Sequence, residues 1–544
     1  MGLPISCLRI SDIDSCRQSC YCIADDTMTK RPPPPSITAG GNPLAKMKRS
    51  CSPDTVITSY MKPNQPSAIN LSTYNPDDEP TFGINDLVYD KSIDVPTILK
   101  PLLDSTAFQR LRGIKQLGPT ELLYPGATHT RFAHCLGTFY VASSFLSALR
   151  KRYPDKISGV DQLCVCIAAL YHDIGHGPLS HLFEHVWEQN HYHHEDMSIR
   201  LFDHVMDELK REKAPLMEYL SEVDLEFIRE AIRPPKSDPN GNWIMKGRPE
   251  EKAFLYEFVN NTKSGLDVDK MDYILRDSKH CNFGTRFQLS ALDRIIKHTY
   301  INEQNGRTEL QFHSKVSSDI RALYEDRERL HQCVYRHRTV IAVEYELQEA
   351  LRLAGPHFMV PGKDGTLVAL KDATKDVEAF LKLDDYIITM ISNSPNPALK
   401  PAIEVLNRIR KRQLMPSVAV IKLTRNEINE RDLRRYLEER LPSIAAKCRF
   451  IACSFHGGLG VGNDPMSRIK FICRNGEAQI TANEWQHSVW WYVFIDYATS
   501  KESDVDFESI TNVLKSFCKT KNIKAAVSPL YKRNEDIEND NPDF

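Results

Sequence analysis

The chain predicts a mainly α fold: a large helical core that carries a smaller C-terminal α+β lobe. Three observations predict it. Apolar residues recur at helical spacing from about Phe82 to Leu353, and helices continue to about Arg412. Beyond that point the period changes to short β-branched or aromatic runs. Residues 1–80 hold the Arg31–Ser36 proline run, Gly40-Gly41 and few periodic apolar positions, the composition of a disordered tail. The expected division is a tail over 1–80, a helical core over 81–412, an α+β lobe over 413–525 and a polar tail over 526–544.

Taken in order, an apolar helix opens near His134 and runs to about Leu149. Asp161 suits an N-cap, followed by Leu163, Cys166, Ile167, Leu170 and Tyr171 at core spacing. Pro178 suits the first position of a helix that buries Leu179, Leu182, Phe183 and Val186. Residues 233–250 are rich in proline, glycine and charge and read as a loop. One long helix is expected from about Asp319 to Leu353. Ser417–Leu423, 450–453, 469–473 and 489–495 read as strands, with a helix near 507–517. No internal repeat is visible.

Bulk composition excludes more than it suggests. With 544 residues, 41% hydrophobic and 9% aromatic, the chain has ordinary globular composition. Basic and acidic residues number 70 and 72, so any phosphate binding must come from local clusters. No stretch reaches the apolar length that spans a bilayer, and the N-terminus lacks a signal-peptide core. The 14 cysteines are scattered. Cys164, Cys166 and Cys333 fall on apolar helical faces, as reduced thiols of an intracellular protein do. Cys16, Cys20 and Cys22 lack a second ligand pair for zinc. Met1-Gly2 through Ser6, with Cys7 behind it, fits a minimal acylation pattern interrupted by Pro4. Stable anchoring would need both acylations, and membrane contact is not expected.

The most informative feature is adjacent His172 and Asp173, in Leu170-Tyr-His-Asp-Ile-Gly-His-Gly-Pro178. Consecutive helical residues point about 100° apart. They converge only where a helix ends, and Gly175, Gly177 and Pro178 mark an end. An imidazole and a carboxylate converging there suit a divalent metal. His134 stands upstream, in Arg131-Phe-Ala-His134, and Asp269 downstream, in Asp267-Val-Asp-Lys-Met-Asp-Tyr273. Four N and O ligands leave coordination positions open for catalysis.

Three helical stripes accompany them. His181, Glu184 and His185 share one face, near His176 and His194, where imidazoles exchange protons near neutrality. Asp269, Tyr273 and Asp277 align at i, i+4 and i+8, as do Arg327, His331 and Tyr335. A guanidinium grips phosphate and a tyrosine ring packs on a sugar. From the residues alone, the reading is a metal-dependent nucleotide phosphohydrolase.

The order His, His-Asp, Asp resembles the HD metal-phosphohydrolase superfamily. Phe108–Gly118, Tyr124–His134, His172–His181 and Asp267–Tyr273 are similar to the SAM-and-HD-domain deoxynucleoside triphosphate (dNTP) triphosphohydrolases, over roughly residues 82–520. The resemblance implies cleavage of dNTPs to deoxynucleoside and intact triphosphate. It assigns the metal, Fe, Mn or Zn, to His134, His172, Asp173 and Asp269, with Mg²⁺ on the phosphates. It makes His181 the proton donor, supported by His176, His194 and Glu184. Arg131, Lys270, Arg327 and Tyr273 would bind triphosphate, with His331 on the same lining. Gln116, Leu117, Asp277 and Tyr335 would enclose the sugar, leaving few base contacts and all four dNTPs as substrates. Asp104, Gln109 and Arg112 match positions that read guanine, and His337, Arg338 and the Arg408–Arg412 cluster would meet activator phosphates. GTP or dNTP activation through a homotetramer is therefore expected, in the nucleus or cytoplasm. Asp104 also suits a helix N-cap.

The chain departs from the pattern in places. No SAM module precedes the core. Glu184 stands for a usual Asp, Arg336 for a Gln, and Phe82 for a Lys that touches the activator. An HD-type phosphodiesterase or 5′-nucleotidase shares the metal ligands and is the second enzymatic reading. A nucleotide-dependent single-stranded nucleic-acid binder is the third.

Overall fold

The computed structural model describes residues 74–530, apart from 237, 240, 425–426, 456–463, 475, 479–487 and 497–505. The acylation pattern, Cys16 to Cys22 and both outer tails through 73 and from 531 lie outside the described residues. The fold is mainly α with a smaller α+β part, as the sequence predicts.

Tyr74 lies buried edge-on against Tyr219, and β1 (Thr81–Asp86) and β2 (Lys91–Pro96) form a hairpin. The core is built on α1 (Arg131–Arg152) and α2 (Gly159–Tyr171), which pack along each other. Arg150, Lys151 and Arg152 close α1 where the helix dipole favours positive charge. By length and composition α1 alone among the described helices could cross a bilayer, contrary to the expectation of none. Its apolar positions are instead buried in the core, around a fully buried His134. Ser158, not Asp161, caps α2. Asp161 lies three residues on and accepts in return from the Ser158 amide, a capping box.

The helix expected from Pro178 begins later, as α3 (His181–Trp187). Leu179 and Ser180 ahead of it have φ of 60° and 59°, a left-handed conformation that no helix tolerates. There follow α4 (His194–Glu212), α5 (Glu222–Ile232) and α6 (Val268–His280). The long helix expected over 319–353 is two helices, α7 (Ser317–Leu330) and α8 (Arg338–Ala354), joined through a π-turn at His331–Tyr335. After the π-turn Arg336 and His337 leave helical backbone, and no glycine or proline in 331–338 announces the break.

Not all of the core is helical. β3 (Thr299–Gln304) and β4 (Arg307–His313) form a hairpin inside the stretch read as helix. After α9 (Lys400–Arg410) comes the lobe. It contains β5 (Ser417–Leu423), α10 (Glu430–Glu438) and β6 (Cys448–Phe455), then β7 (Lys470–Cys473) and β8 (Gly476–Ala478), then β9 (Ser488–Ile495), α11 (Phe507–Thr520) and β10 (Ala525–Pro529). The lobe sheet runs β10-β5-β9-β6, antiparallel throughout. One face packs on α10 and α11, and the other meets Ile341 and Ala342 of α8. β7 and β8 leave the lobe and extend the core sheet, with β7 parallel to β4. Described cysteines are free and mostly buried, but Cys333, expected on an apolar face, is exposed in the π-turn.

Candidate active site

α2 stops at Tyr171, His172 takes the cap position and Asp173 follows it, and the two side chains meet beyond the helix end with His172 Nε2 3.5 Å from Asp173 Oδ1. The His172 Nδ1–H donates to the Ala169 carbonyl at 2.8 Å, which leaves Nε2 as the coordinating nitrogen. His134, on α1, likewise turns Nδ1 to Asp272 at 2.8 Å and presents Nε2. The two Nε2 atoms are 3.3 Å apart. Asp269 Oδ1 lies 3.1 Å from His134 Nε2 and 3.5 Å from His172 Nε2. Asp173 reaches both imidazoles at 3.5 Å. Ligands about 2.1 Å from one ion stand about 3.0–3.4 Å from each other; His134, His172 and Asp173 bring their donor atoms together within 4.8 Å, as one divalent cation requires, and Asp269 reaches the two imidazoles from beside that group. Its field has the right sign too. Burial opposes charge on His134, yet Asp269 and Asp272 hold its pKa up to about 10.

Behind the cradle stands a layer the sequence reading did not single out. Asp272 is fully buried, takes Tyr89 Oη at 2.6 Å and pairs with Arg276 at 2.9 Å. Arg276 also holds Asp86 of β1 at 2.9 Å. The spacing Asp269, Asp272, Arg276 on one helix is visible in sequence, but which carboxylate meets metal is a matter of packing. Gly175 brings α4 close: a Cβ there would stand 2.1 Å from the His194 carbonyl oxygen. That approach lets Ser198 Oγ accept from the Gly175 amide and donate to the His172 carbonyl.

Beside the cradle lies a second imidazole group. His176 is buried and stacks on His194 with ring centroids 4.0 Å apart. Burial pushes His176 well below the usual imidazole range. His181 stands in the open cleft, 63% exposed, with Nδ1 3.7 Å from Glu184. Glu184 also accepts from His194 Nδ1 at 2.7 Å and His193 Nδ1 at 3.2 Å. Against the effect of burial, His181, His194 and His176 hold its carboxyl well below the usual range. The strained Leu179-Ser180 turn that aims His181 is pinned by Asp385, which accepts from the Leu179 and Lys115 amides at 2.6 and 2.9 Å.

A cleft of about 390 Å³ brings together Gln116, Leu117, Arg131, Lys270, Tyr273, Asp277, Arg327, His331 and Tyr335 with Asp269 and His181. Arg131 is buried, ion-paired to Asp173 and donating to Ser180 Oγ at 2.8 Å. Arg327 Nε donates to Tyr273 Oη at 2.9 Å, and Lys270 Nζ to Asp267 at 2.8 Å. Asp277 accepts from Tyr335 Oη at 2.5 Å and pairs with buried His129 at 2.7 Å. Among the described residues, buried Gln116 Oε1 has no hydrogen-bond partner.

The residues matched to an activator site stand apart from this cleft's lining. Asp104 is exposed and ion-paired to Lys100, and the helix cap there is Ser105 rather than Asp104. Gln109 accepts from Arg112 Nε at 2.8 Å, and Arg112 lies over the Phe132 ring at 3.5 Å. His337 caps α8, and Arg338 donates to the Leu530 carbonyl at 3.2 Å. Phe82 is part-buried against the core.

An HD domain matches residues 131–276, the segment from α1 to α6 that holds every cradle ligand. Such a domain implies a divalent metal, and the His and Asp donors fit one. The chain is similar to proteins named deoxynucleoside triphosphate triphosphohydrolase SAMHD1. Identity to the Danio rerio protein is 33% over 417 residues, 73% of this chain and 66% of that one. Against the Gallus gallus protein it is 37% over 333 residues, 59% and 53% of the two chains. The chain thus spans about half to two thirds of the curated relatives it matches. It is 32% identical to the Homo sapiens protein across 67% of that protein's length, and it belongs to the SAMHD1 family of HD-domain proteins.

Proposed function

We propose that this chain hydrolyses dNTPs between the 5′ oxygen and the α-phosphorus, releasing a deoxynucleoside and intact triphosphate. One observation carries the reading: Asp269 of the cradle, the cations Arg131, Lys270 and Arg327, and the unpartnered Gln116 Oε1 face a single cleft. The activity in the relatives' names supports the same assignment.

His134, His172, Asp173 and Asp269 would hold Fe, Mn or Zn, which supplies Lewis acidity toward the α-phosphate when bound, with Mg²⁺ on the remaining phosphates. Lys270 and Arg327 neutralise the triphosphate, and Arg131 links that charge to Asp173. Glu184 steadies the protonated, positively charged ring of His181, which delivers its proton to the leaving 5′ oxygen and becomes neutral. His176 and His194 back that imidazole. Gln116 Oε1 accepts the 3′ hydroxyl, whose donor satisfies an otherwise orphaned acceptor. Leu117, His331 and Tyr335, the last held by Asp277, wall the sugar and exclude a 2′ hydroxyl. GTP or a dNTP at Asp104, Gln109, Arg112, His337 and Arg338 would assemble the active homotetramer, and the activity would limit dNTP pools.

The test is purified full chain with dATP and Mg²⁺, with and without GTP, and products resolved by chromatography. Deoxyadenosine plus triphosphate is expected, with GTP required. Pyrophosphate or orthophosphate would replace this reading with a phosphodiesterase or nucleotidase. No turnover across Mg²⁺, Mn²⁺ and Fe²⁺ would favour a binding protein.

A further inference from the structure

The cleft has a distinct outer end. His185, Arg336 and Glu344 line both the substrate cleft and a neighbouring cavity of about 510 Å³ bounded by α8 and by Ile451, Ala452 and Cys453 of β6. The cradle ligand Asp269 lines only the first of the two. A nucleotide with its phosphates at Asp269 and its sugar at Gln116 and Tyr335 therefore carries its base toward Arg336 and Glu344. The π-turn puts Arg336 there, immediately after Tyr335, and Tyr492 of the lobe fixes its backbone by donating to the Arg336 carbonyl at 3.3 Å.

These two side chains are incompletely satisfied. Arg336 Nη1 stands 3.8 Å from Glu344 Oε2, an ion pair too long for a hydrogen bond. Among the described residues neither side chain has a hydrogen bond within the protein. Burial pushes the Glu344 carboxyl up to about 7, with Arg336 pulling the other way. A guanidinium beside a carboxyl wants a ligand edge with acceptors followed by donors.

We propose that Arg336 and Glu344 read the base of the substrate and make guanine the preferred one. This rests on the dNTP hydrolase reading above. Guanine presents N7 and O6 as adjacent acceptors that match an arginine fork, followed by N1–H and the 2-amino group as donors for a carboxyl. Adenine places an amino donor where guanine has O6, leaving the guanidinium opposite a donor. The cavity beyond the pair leaves room for a purine.

The experiment measures kcat/KM for dGTP, dATP, dCTP and dTTP by triphosphate release, with activator saturating, for wild type, Arg336→Gln and Glu344→Gln. A dGTP preference of about tenfold is expected in wild type, and both variants should bring the dGTP-to-dATP ratio toward one. Equal kcat/KM for all four in wild type overturns the inference and leaves the hydrolase reading intact. So does a dGTP preference unchanged in both variants. Triphosphate released from none of the four overturns both. The wild-type comparison needs no variant to fold.

Discussion

Two imidazole clusters lie side by side in this protein and are held very differently. In the cradle, His134 is fully buried, His172 is 11% exposed, and a fixed backbone or carboxylate partner orients each ring. In the neighbouring group, His176 is buried while His181 is 63% exposed and meets Glu184 only at 3.7 Å. The contrast separates two tasks. Coordination needs donors set in advance to within tenths of an ångström. A proton donor for a departing oxygen gains from freedom until substrate fixes it, because catalytic hydrogen bonds tighten in the complex. One cluster is therefore built by the fold and the other is completed by its ligand.

The largest effect should come from breaking the built cluster. Asp269→Ala removes a cradle ligand that is 28% exposed, so folding should survive. Triphosphate release should fall about 10³-fold or more, several kcal/mol of transition-state stabilisation, and bound metal measured by elemental analysis should fall with it. Full metal content in an inactive variant would remove Asp269 from the ligand set. His181→Ala should lower kcat by about 10²- to 10⁴-fold while metal content stays at the wild-type level. A parallel loss of metal there would erase the division of labour between the clusters.

Asp272→Asn sharpens the comparison from behind. Asp272 orients His134 without touching substrate, so metal affinity should drop about 10- to 100-fold, and turnover should recover as metal is added. Activity that stays low at saturating metal would mean Asp272 acts on chemistry rather than on orientation.

How much of this was legible in the sequence follows the same division. Cradle residues are separated in sequence but sit at helix ends and on helix faces, where spacing and glycine placement carry information. The layer behind them does not announce itself: Asp272 and Asp269 are chemically alike, and only the packing of α6 against α1 decides which faces the ion. The β3–β4 hairpin carries its own signal within the stretch of helical spacing. Asn305-Gly306, with φ of 55° and 81°, is the dipeptide that closes a tight hairpin, and helical spacing on either side masked it. The break between α7 and α8 falls at Arg336 and His337, whose backbone is non-helical, and no proline or glycine marks it in the sequence. β7 reads as a strand from its residues, yet its place beside β4 depends on tertiary packing.

A part-buried carboxyl remote from both clusters gives the last and smallest test. Asp272 is held low, at about 2, because Arg276 and His134 offset its burial. Glu257, 15% exposed, has no comparable partner: Lys263 lies 3.8 Å away and is shared with Glu309 at 2.7 Å. Burial, against the pull of Lys263, pushes the Glu257 carboxyl up to about 7 from an ordinary 4.5. The folded state thus binds this proton more tightly than the unfolded chain. Stability from that proton is full below about pH 4.5 and is lost as pH rises through about 7. At 1.36 kcal/mol per unit, the loss is at most roughly 3 kcal/mol. Glu257→Gln keeps the shape and never ionises. Its Tm should fall less than that of wild type between pH 5 and 8, and the variant should be the more stable protein at the upper end. Parallel Tm curves would show that Lys263 already balances the charge, and that closely and loosely paired carboxyls differ less in this fold than their surroundings imply.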